Sequence, residues 1–143
     1  MAAEKQALAK KYFTVAEANA ALPLVRAIVS DITELANDLR KRKERLSQDQ
    51  PPQGGRIAEV YQEELQAEFD RDQDRLLEYK QELENLGVEL KDWFMGLVDF
   101  PSWMEDHEVY LCWRLGEPEV GYWHDLDVGF AGRQTIQRQA TNN

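Results

Sequence analysis

The sequence has little cysteine and no long apolar run. Its one cysteine, Cys112, excludes an internal disulfide, so a reducing cytoplasm is the expected location. No stretch approaches the roughly 18 apolar residues that a membrane-spanning helix needs. Residues 1–11 also lack the apolar core of a signal peptide. We therefore expect a cytoplasmic protein that does not associate with a membrane.

Basic residues are scarce as well, and the net charge is −10. The shortage is uneven, because residues 23–47 carry six basic and four acidic side chains, whereas residues 56–89 carry four basic and eleven acidic ones. Nucleic-acid binding needs a broad basic surface, so we expect no nucleic-acid partner. The basic run Arg40–Lys43 is instead predicted to lie across from the acidic residues at 59–64 in a helical hairpin.

Helical periodicity begins near the start of the chain. Thr14–Glu17 has the pattern of a capping box, which predicts a helix from Val15. Pro23 predicts a break or kink near Leu22, with Pro23 in the first turn of a longer helix that ends near Ser47. The apolar residues of that helix repeat at heptad spacing, with Arg42 at the skipped position: Val25, Ile28, Ile32, Leu35, Leu39 and Leu46.

A second helix is predicted from about Arg56 to Leu86, after a loop at Gln48–Gly55. Its seam contains Leu65, Phe69, Asp72, Leu76, Tyr79 and Leu83. The two helices should form an antiparallel hairpin, in which Asp72 pairs with a polar side chain or points sideways. Because little chain remains to cover this hairpin, the sequence favours a homodimer formed through it.

Alternation replaces helical spacing after Gly87. Strands are predicted at Val88–Lys91, Leu97–Pro101, Val109–Leu115 and Val120–Leu126, with a turn at Gly116–Glu119. The pattern predicts an α+β fold, in which an antiparallel meander of about four strands packs on the helical hairpin. One domain is expected at residues 12–136, between flexible tails at 1–11 and 137–143. It divides into the helical hairpin 14–86, the β-meander 87–128 and a closing turn 129–136.

The last β-hairpin carries the candidate site. Pairing of Leu115 with Val120 would place Leu111 opposite His124. The more apolar face, which should pack on the helices, would then carry Val109, Leu111, Trp113, Tyr122, His124 and Leu126. The opposite face would carry Tyr110, Cys112, Arg114, Trp123 and Asp125.

His124 is the ionisable residue with the most chemical options. On an apolar face it is a hydrogen-bonded core residue, a ligand or metal contact, or a general base. A metal site could add Asp127, Glu117 and Glu17, but the sequence contains no HExxH and no Glu-x-x-His pair, so we assign no metal ligands. Cys112 lies between aromatic residues and is interpreted as a small apolar side chain rather than a nucleophile.

Five residues are assigned to ligand binding near this hairpin: Arg114, Glu117, Trp123, His124 and Arg133. Together they could line a pocket for an anionic or planar ligand. The alternative is structural, with the aromatic residues in the core and the arginines paired with nearby carboxylates. No motif identifies a cofactor, a nucleophile or a phosphate cradle.

Four segments carry a family resemblance. They are the start YFTVAEAN at 12–19, followed by Leu22 and Pro23, the segments LGVELKD at 86–92 and GLVDFP at 96–101, and the run VYLCWRLGEPEVGYWHDLDVGFAGRQ at 109–134. They resemble an uncharacterised prokaryotic family, known only as a domain of unknown function, and the run at 109–134 is the most specific of them. The resemblance implies a compact bacterial cytoplasmic protein and implies no reaction. Its recognisable segments include Glu17, Asp99, Arg114, Glu117, His124 and Arg133.

Two functions remain open from the sequence. The first is a non-enzymatic module that binds a partner or self-associates through the helical hairpin. The second is a small-ligand or metal site, with or without catalysis, centred on His124, Arg114 and Glu117. Since His124 and Arg114 are predicted on opposite faces, such a site should form at the strand ends.

Overall fold

Two long helices and a five-stranded antiparallel sheet make up the fold, which confirms the predicted α+β class. The structure is a computed structural model, and it describes residues 10–48 and 55–136. Helix α1 spans Val15–Gln48 and helix α2 spans Arg56–Asn85. Residues 1–9 and 137–143 of the predicted tails, and 49–54 of the predicted loop, lie outside the described residues.

The start of α1 is fixed by the predicted capping box. The backbone N–H of Thr14 donates to Glu17 Oε1 over 2.9 Å, and the backbone N–H of Glu17 donates to Thr14 Oγ1 over 3.0 Å. This reciprocal pair satisfies two of the N–H groups that the first turn of a helix leaves without a partner.

The predicted break at Pro23 is wrong, because α1 continues through this residue without interruption. Pro23 lacks the N–H that would bond to the carbonyl of Asn19, so one helical hydrogen bond is lost. Leu22 and Val25 on either side are buried in the core, while Pro23 itself is exposed. Burial of these apolar neighbours offsets the lost hydrogen bond and keeps the helix continuous.

The two helices form the predicted hairpin and meet along their apolar seams. Val25, Ile28, Ile32 and Leu39 of α1 are buried, as are Phe69 and Leu83 of α2. Arg42 bonds to Asp72 rather than lying beside the acidic residues at 59–64. The basic run is therefore closer to the middle of α2 than the sequence predicted.

The sheet is a simple meander in which every strand pairs with its neighbour in sequence. Its strands are β1 Glu89–Asp92, β2 Leu97–Met104, β3 His107–Arg114, β4 Tyr122–Asp125 and β5 Gln134–Thr135. The first four correspond to the predicted strands. The fifth lies within the predicted closing turn, directly after a 3₁₀ turn at Phe130–Gly132.

The pairing of β3 with β4 differs from the prediction by one residue. Tyr110, not Leu111, lies opposite His124, and Leu111 lies opposite Trp123. Since side chains alternate between the two faces of a strand, a shift of one residue moves every β4 side chain to the other face. The predicted faces of His124 and Trp123 are therefore both wrong.

The shifted register is accompanied by a contact with α1. Val120 does not pair with Leu115; its N–H donates to Asn19 Oδ1 over 2.8 Å, and its carbonyl accepts from Asn19 Nδ2 over 3.3 Å. The connection between β3 and β4 thus runs from Leu115 to Gly121, longer than the four-residue turn that the composition indicated. A helix side chain takes the place of a strand partner for Val120.

The sheet has one apolar face and one polar face. The apolar face packs on α1 and the end of α2, and its buried members include Val98, Phe100, Leu111 and Trp113. Trp123 packs against this core as well. The other face carries Asp99, Cys112 and His124, and residues 126–136, here called the closing segment, border it. Neither helix, over the described residues, combines the length and apolar content that crossing a membrane requires.

Candidate functional site

A buried polar cluster lies on the sheet face that points away from the helices. Asp99 on β2 is directly opposite Cys112 on β3, and His124 on β4 completes the group. Their exposed fractions are 2%, 0% and 3% respectively. A carboxylate, a thiol and an imidazole that are this deeply buried must satisfy one another or a ligand.

The imidazole of His124 is held between two oxygen atoms. Nδ1 lies 2.8 Å from the carbonyl oxygen of Asp125, and Nε2 lies 3.0 Å from Oδ1 of Asp99. A backbone carbonyl only accepts, so Nδ1 must carry a hydrogen and donate it. Nε2 is therefore the ring nitrogen that faces the cluster, where it is hydrogen-bonded to the Asp99 carboxyl.

Burial changes the acid–base behaviour of the other two groups. It raises the pKa of the Asp99 carboxyl, although the neighbouring His124 opposes this rise. Burial, with the Asp99 charge beside it, raises the pKa of the Cys112 thiol to about 12. At neutral pH the thiol is thus protonated, which argues against a free cysteine nucleophile.

Arg133 joins the closing segment to the far side of the cluster. Its guanidinium donates to both carboxylate oxygens of Glu117, one of them over 3.1 Å, and lies 3.9 Å from the sulfur of Cys112. The guanidinium carbon also lies over the rings of Tyr122 and Phe130, at 3.8 Å and 4.3 Å from their centroids. Aromatic stacking and a two-point ion pair fix the arginine where it can stabilise negative charge on sulfur.

A cleft of about 290 Å³ reaches the cluster between the sheet and the closing segment. Asp99 and His124 lie in its wall, together with Lys91 and Tyr110. The closing segment contributes Leu126, Asp127, Val128, Gly129 and Phe130. A small molecule or a hydrated ion in this cleft would therefore meet the carboxylate and the imidazole directly.

The cluster has the composition of a metal site. One carboxylate oxygen of Asp99, the sulfur of Cys112 and a ring nitrogen of His124 all lie within 4.8 Å of one another. Oxygen, sulfur and nitrogen ligands held this close match the mixed coordination that zinc accepts.

The five residues assigned from the sequence do not all meet at this cluster. His124 belongs to it, and Glu117 and Arg133 contact its edge. The side chain of Arg114 is exposed. Its backbone N–H contacts the site by donating to Glu117 Oε1 over 2.9 Å. Trp123 faces the helices on the other side of the sheet. Of the carboxylates considered for a metal, Asp127 lines the cleft and Glu17 belongs to the capping box.

Sequence reasoning did not identify Asp99 and Cys112 as partners of His124. The alternation of β2 and β3 could have placed these two side chains on one face, since they occupy paired positions. The incorrect β4 register then put His124 on the opposite face. The signal that would have corrected it is the contact between Asn19 and Val120, which no local pattern contains.

Comparison with known proteins gives a family and no function. Residues 11–136 match the family model described as an uncharacterized conserved protein, DUF2203. No curated protein and no solved structure matches the chain.

Proposed function

Since the chain belongs to the DUF2203 family, whose description assigns no activity, we propose a function from the site itself: the protein binds a divalent transition-metal ion, with zinc as the expected ion, through Asp99, Cys112 and His124. The observation that carries this proposal is the convergence of three different ligand atoms within 4.8 Å in a fully buried place.

The tautomer of His124 supports coordination. The carbonyl of Asp125 accepts from Nδ1 and so leaves the lone pair of Nε2 for a metal ion. A backbone carbonyl that orients a histidine in this way is a common outer partner of metal ligands. A cation between Nε2 and Asp99 would replace the hydrogen bond that now joins them.

The surroundings of Cys112 support the thiolate that coordination requires. A metal ion displaces the thiol proton on binding, even when the free thiol has a high pKa. Arg133, 3.9 Å from the sulfur, supplies a positive charge that is fixed by Glu117. The carboxylate of Asp99 and the thiolate together would balance the charge of a divalent ion.

Three protein ligands leave one position of a tetrahedral ion open. Asp99 and His124 line the cleft, so a water molecule or a small ligand would fill that position from this side. This arrangement is typical of zinc sites that exchange a ligand rather than of closed structural sites. The proposal is therefore an ion-binding protein with an accessible coordination position.

Cobalt titration tests the proposal with a direct spectroscopic readout. The described residues contain no buried side-chain nitrogen or oxygen without a hydrogen-bond partner, so the metal-free protein should fold and can be prepared with a chelator. Addition of Co²⁺ should then produce the visible bands of a tetrahedral ion and a thiolate-to-cobalt charge-transfer band. Zinc should displace the cobalt with a stoichiometry of one ion per chain.

Variants separate a specific site from surface binding. Cys112→Ser should remove the charge-transfer band, and His124→Gln should weaken binding by roughly tenfold or more, because each removes one ligand. His107→Gln is the matched control, since His107 is exposed and lies outside the cluster. Circular dichroism of each variant checks that it folds. An absence of cobalt bands in folded wild-type protein would refute the proposal.

A further inference from the structure

An exposed stripe runs along α2 beside the seam that packs on α1, and at its Arg75 end it borders a surface depression shared with α1. It contains Ile57, Tyr61, Glu64, Glu68, Arg71 and Arg75, which follow one another in steps of four and three residues. Residues at this spacing lie on one face of a helix. All six are exposed, and Ile57 and Tyr61 reach 83% and 56%. Exposed side chains in one row are open to contact with another molecule along the helix.

The charges of this stripe are ordered rather than mixed. Two glutamates come first, at Glu64 and Glu68, and two arginines follow, at Arg71 and Arg75. Among the described residues, Glu64, Glu68 and Arg71 form no ion pair, whereas Arg75 bonds to Asp72 and Tyr79 of its own helix. Three of the four charges are thus available to another molecule.

When two copies of α2 lie antiparallel, the glutamates of one copy face the arginines of the other. Suppose that two copies of α2 lie antiparallel and cross at the point between Phe69 and Asp70. Glu68 then meets the partner's Arg71, and Glu64 meets the partner's Arg75. The two-fold axis repeats both pairs, so four opposite-charge contacts form in one interface. A contact that uses the same patch on both subunits is the usual form of a symmetric dimer.

We propose that α2 forms an antiparallel contact with α2 of a second copy of this chain, through the stripe from Ile57 to Arg75. The parallel arrangement is disfavoured, because it would place glutamate beside glutamate and arginine beside arginine. Charges that flank a helix seam set both the choice of partner and its orientation. Tyr61 would meet the partner's Glu78, to which its hydroxyl could donate.

Charge reversal and charge exchange test this pairing. Sedimentation equilibrium of the wild-type protein over a range of concentrations should show a molar mass that rises from 16.6 kDa toward twice that value. Arg71→Glu replaces two attractive contacts with two repulsive ones, and so does Glu68→Arg. Each should weaken the dimer by about tenfold or more. The double variant with both changes restores opposite charges and should recover wild-type association.

Asp74→Arg is the matched control for Glu68→Arg, because it makes the same change of charge on an exposed residue away from the stripe. It should leave the dimer intact. Circular dichroism of all four variants establishes that they fold. A wild-type protein that stays monomeric at every concentration overturns the proposal, as does a double variant that associates no better than either single one.

Discussion

Arg42 and Asp72 interrupt the apolar seams of the two helices at the same level, and they bond to each other. The distance between Arg42 Nη1 and Asp72 Oδ2 is 2.7 Å. Asp38 and Arg75 extend this pair into a small network across the hairpin. The two polar interruptions thus fix the alignment of α1 against α2, since any slide along the seams would leave each of them facing an apolar side chain.

Loss of this pair should make the hairpin less stable in a pH-dependent way. The Arg42 guanidinium, with Arg75, lowers the pKa of the Asp72 carboxyl. A carboxyl group whose pKa is lower in the folded than in the unfolded state stabilises the fold at any pH above its unfolded-state pKa. This stabilisation is lost as the pH falls through the folded-state pKa. Asp72→Asn should therefore lower the free energy of unfolding by about 1 kcal/mol at pH 7, and by less as the solution becomes strongly acidic.

Urea denaturation at neutral and acidic pH measures this difference. Asp74→Asn is the control, since Asp74 is exposed and lies two residues further along the same helix. It should match the wild type at both pH values. A difference for Asp72→Asn that did not shrink in acid would show that the carboxylate charge is not what stabilises the hairpin.

Asn19→Ala should destabilise the whole domain. The substitution leaves both the N–H and the carbonyl of Val120 without their partner in a residue that is only 2% exposed. An unsatisfied buried group costs about 1–3 kcal/mol, so we expect a loss of roughly 2–3 kcal/mol in the free energy of unfolding. Asn85→Ala, at an exposed asparagine near the end of α2, should lower the free energy of unfolding much less. Equal losses from thermal or urea unfolding of the two variants would contradict this account.

Arg133→Met should loosen the closing segment. It removes the partner of the largely buried Glu117 and the cation between Tyr122 and Phe130. Hydrogen exchange of residues 126–136 should become faster, and the free energy of unfolding should fall by about 2 kcal/mol. Arg114→Met is the matched control, because the side chain of Arg114 is exposed. Unchanged exchange in the Arg133 variant would mean that this ion pair does not hold the segment.

Cys112 should react slowly with a thiol reagent in the native, metal-free protein. Its pKa of about 12 makes the thiolate fraction at pH 8 about a thousandfold smaller than for a thiol with the ordinary pKa of 9.0. Burial slows access further. Stopped-flow or steady absorbance with a disulfide reagent should thus show rapid modification in urea and slow modification in buffer. Comparable rates in both conditions would place Cys112 at the surface.

The helices and the strands could be predicted because their patterns are local. The capping box, the heptad seams and the alternation after Gly87 each reside in a short segment, and the observed elements follow them closely. Pro23 shows where a local rule fails. The hydrogen bond that Pro23 removes is also local. The burial of Leu22 and Val25, which offsets the loss of this hydrogen bond, depends on the sheet.

The site could be predicted only in part, for the same physical reason. His124, Glu117 and Arg133 stood out by residue type, and they do lie in or beside the buried cluster. The face of His124 depends on the β4 register, and the connection before β4 is held by two hydrogen bonds between Val120 and Asn19 of α1. Because a strand has a period of two, a shift of one residue in this register changes which side chains His124 meets.

The bond between Asn19 and Val120 joins residues 101 positions apart. Its formation has to await the closure of nearly the whole domain, and contacts of such long sequence separation slow the folding reaction. Asp99, Cys112 and His124 can assemble only after β4 has found its register. The buried cluster should therefore be among the last parts of the molecule to form, and a nascent chain would acquire it only once β4 has been synthesised.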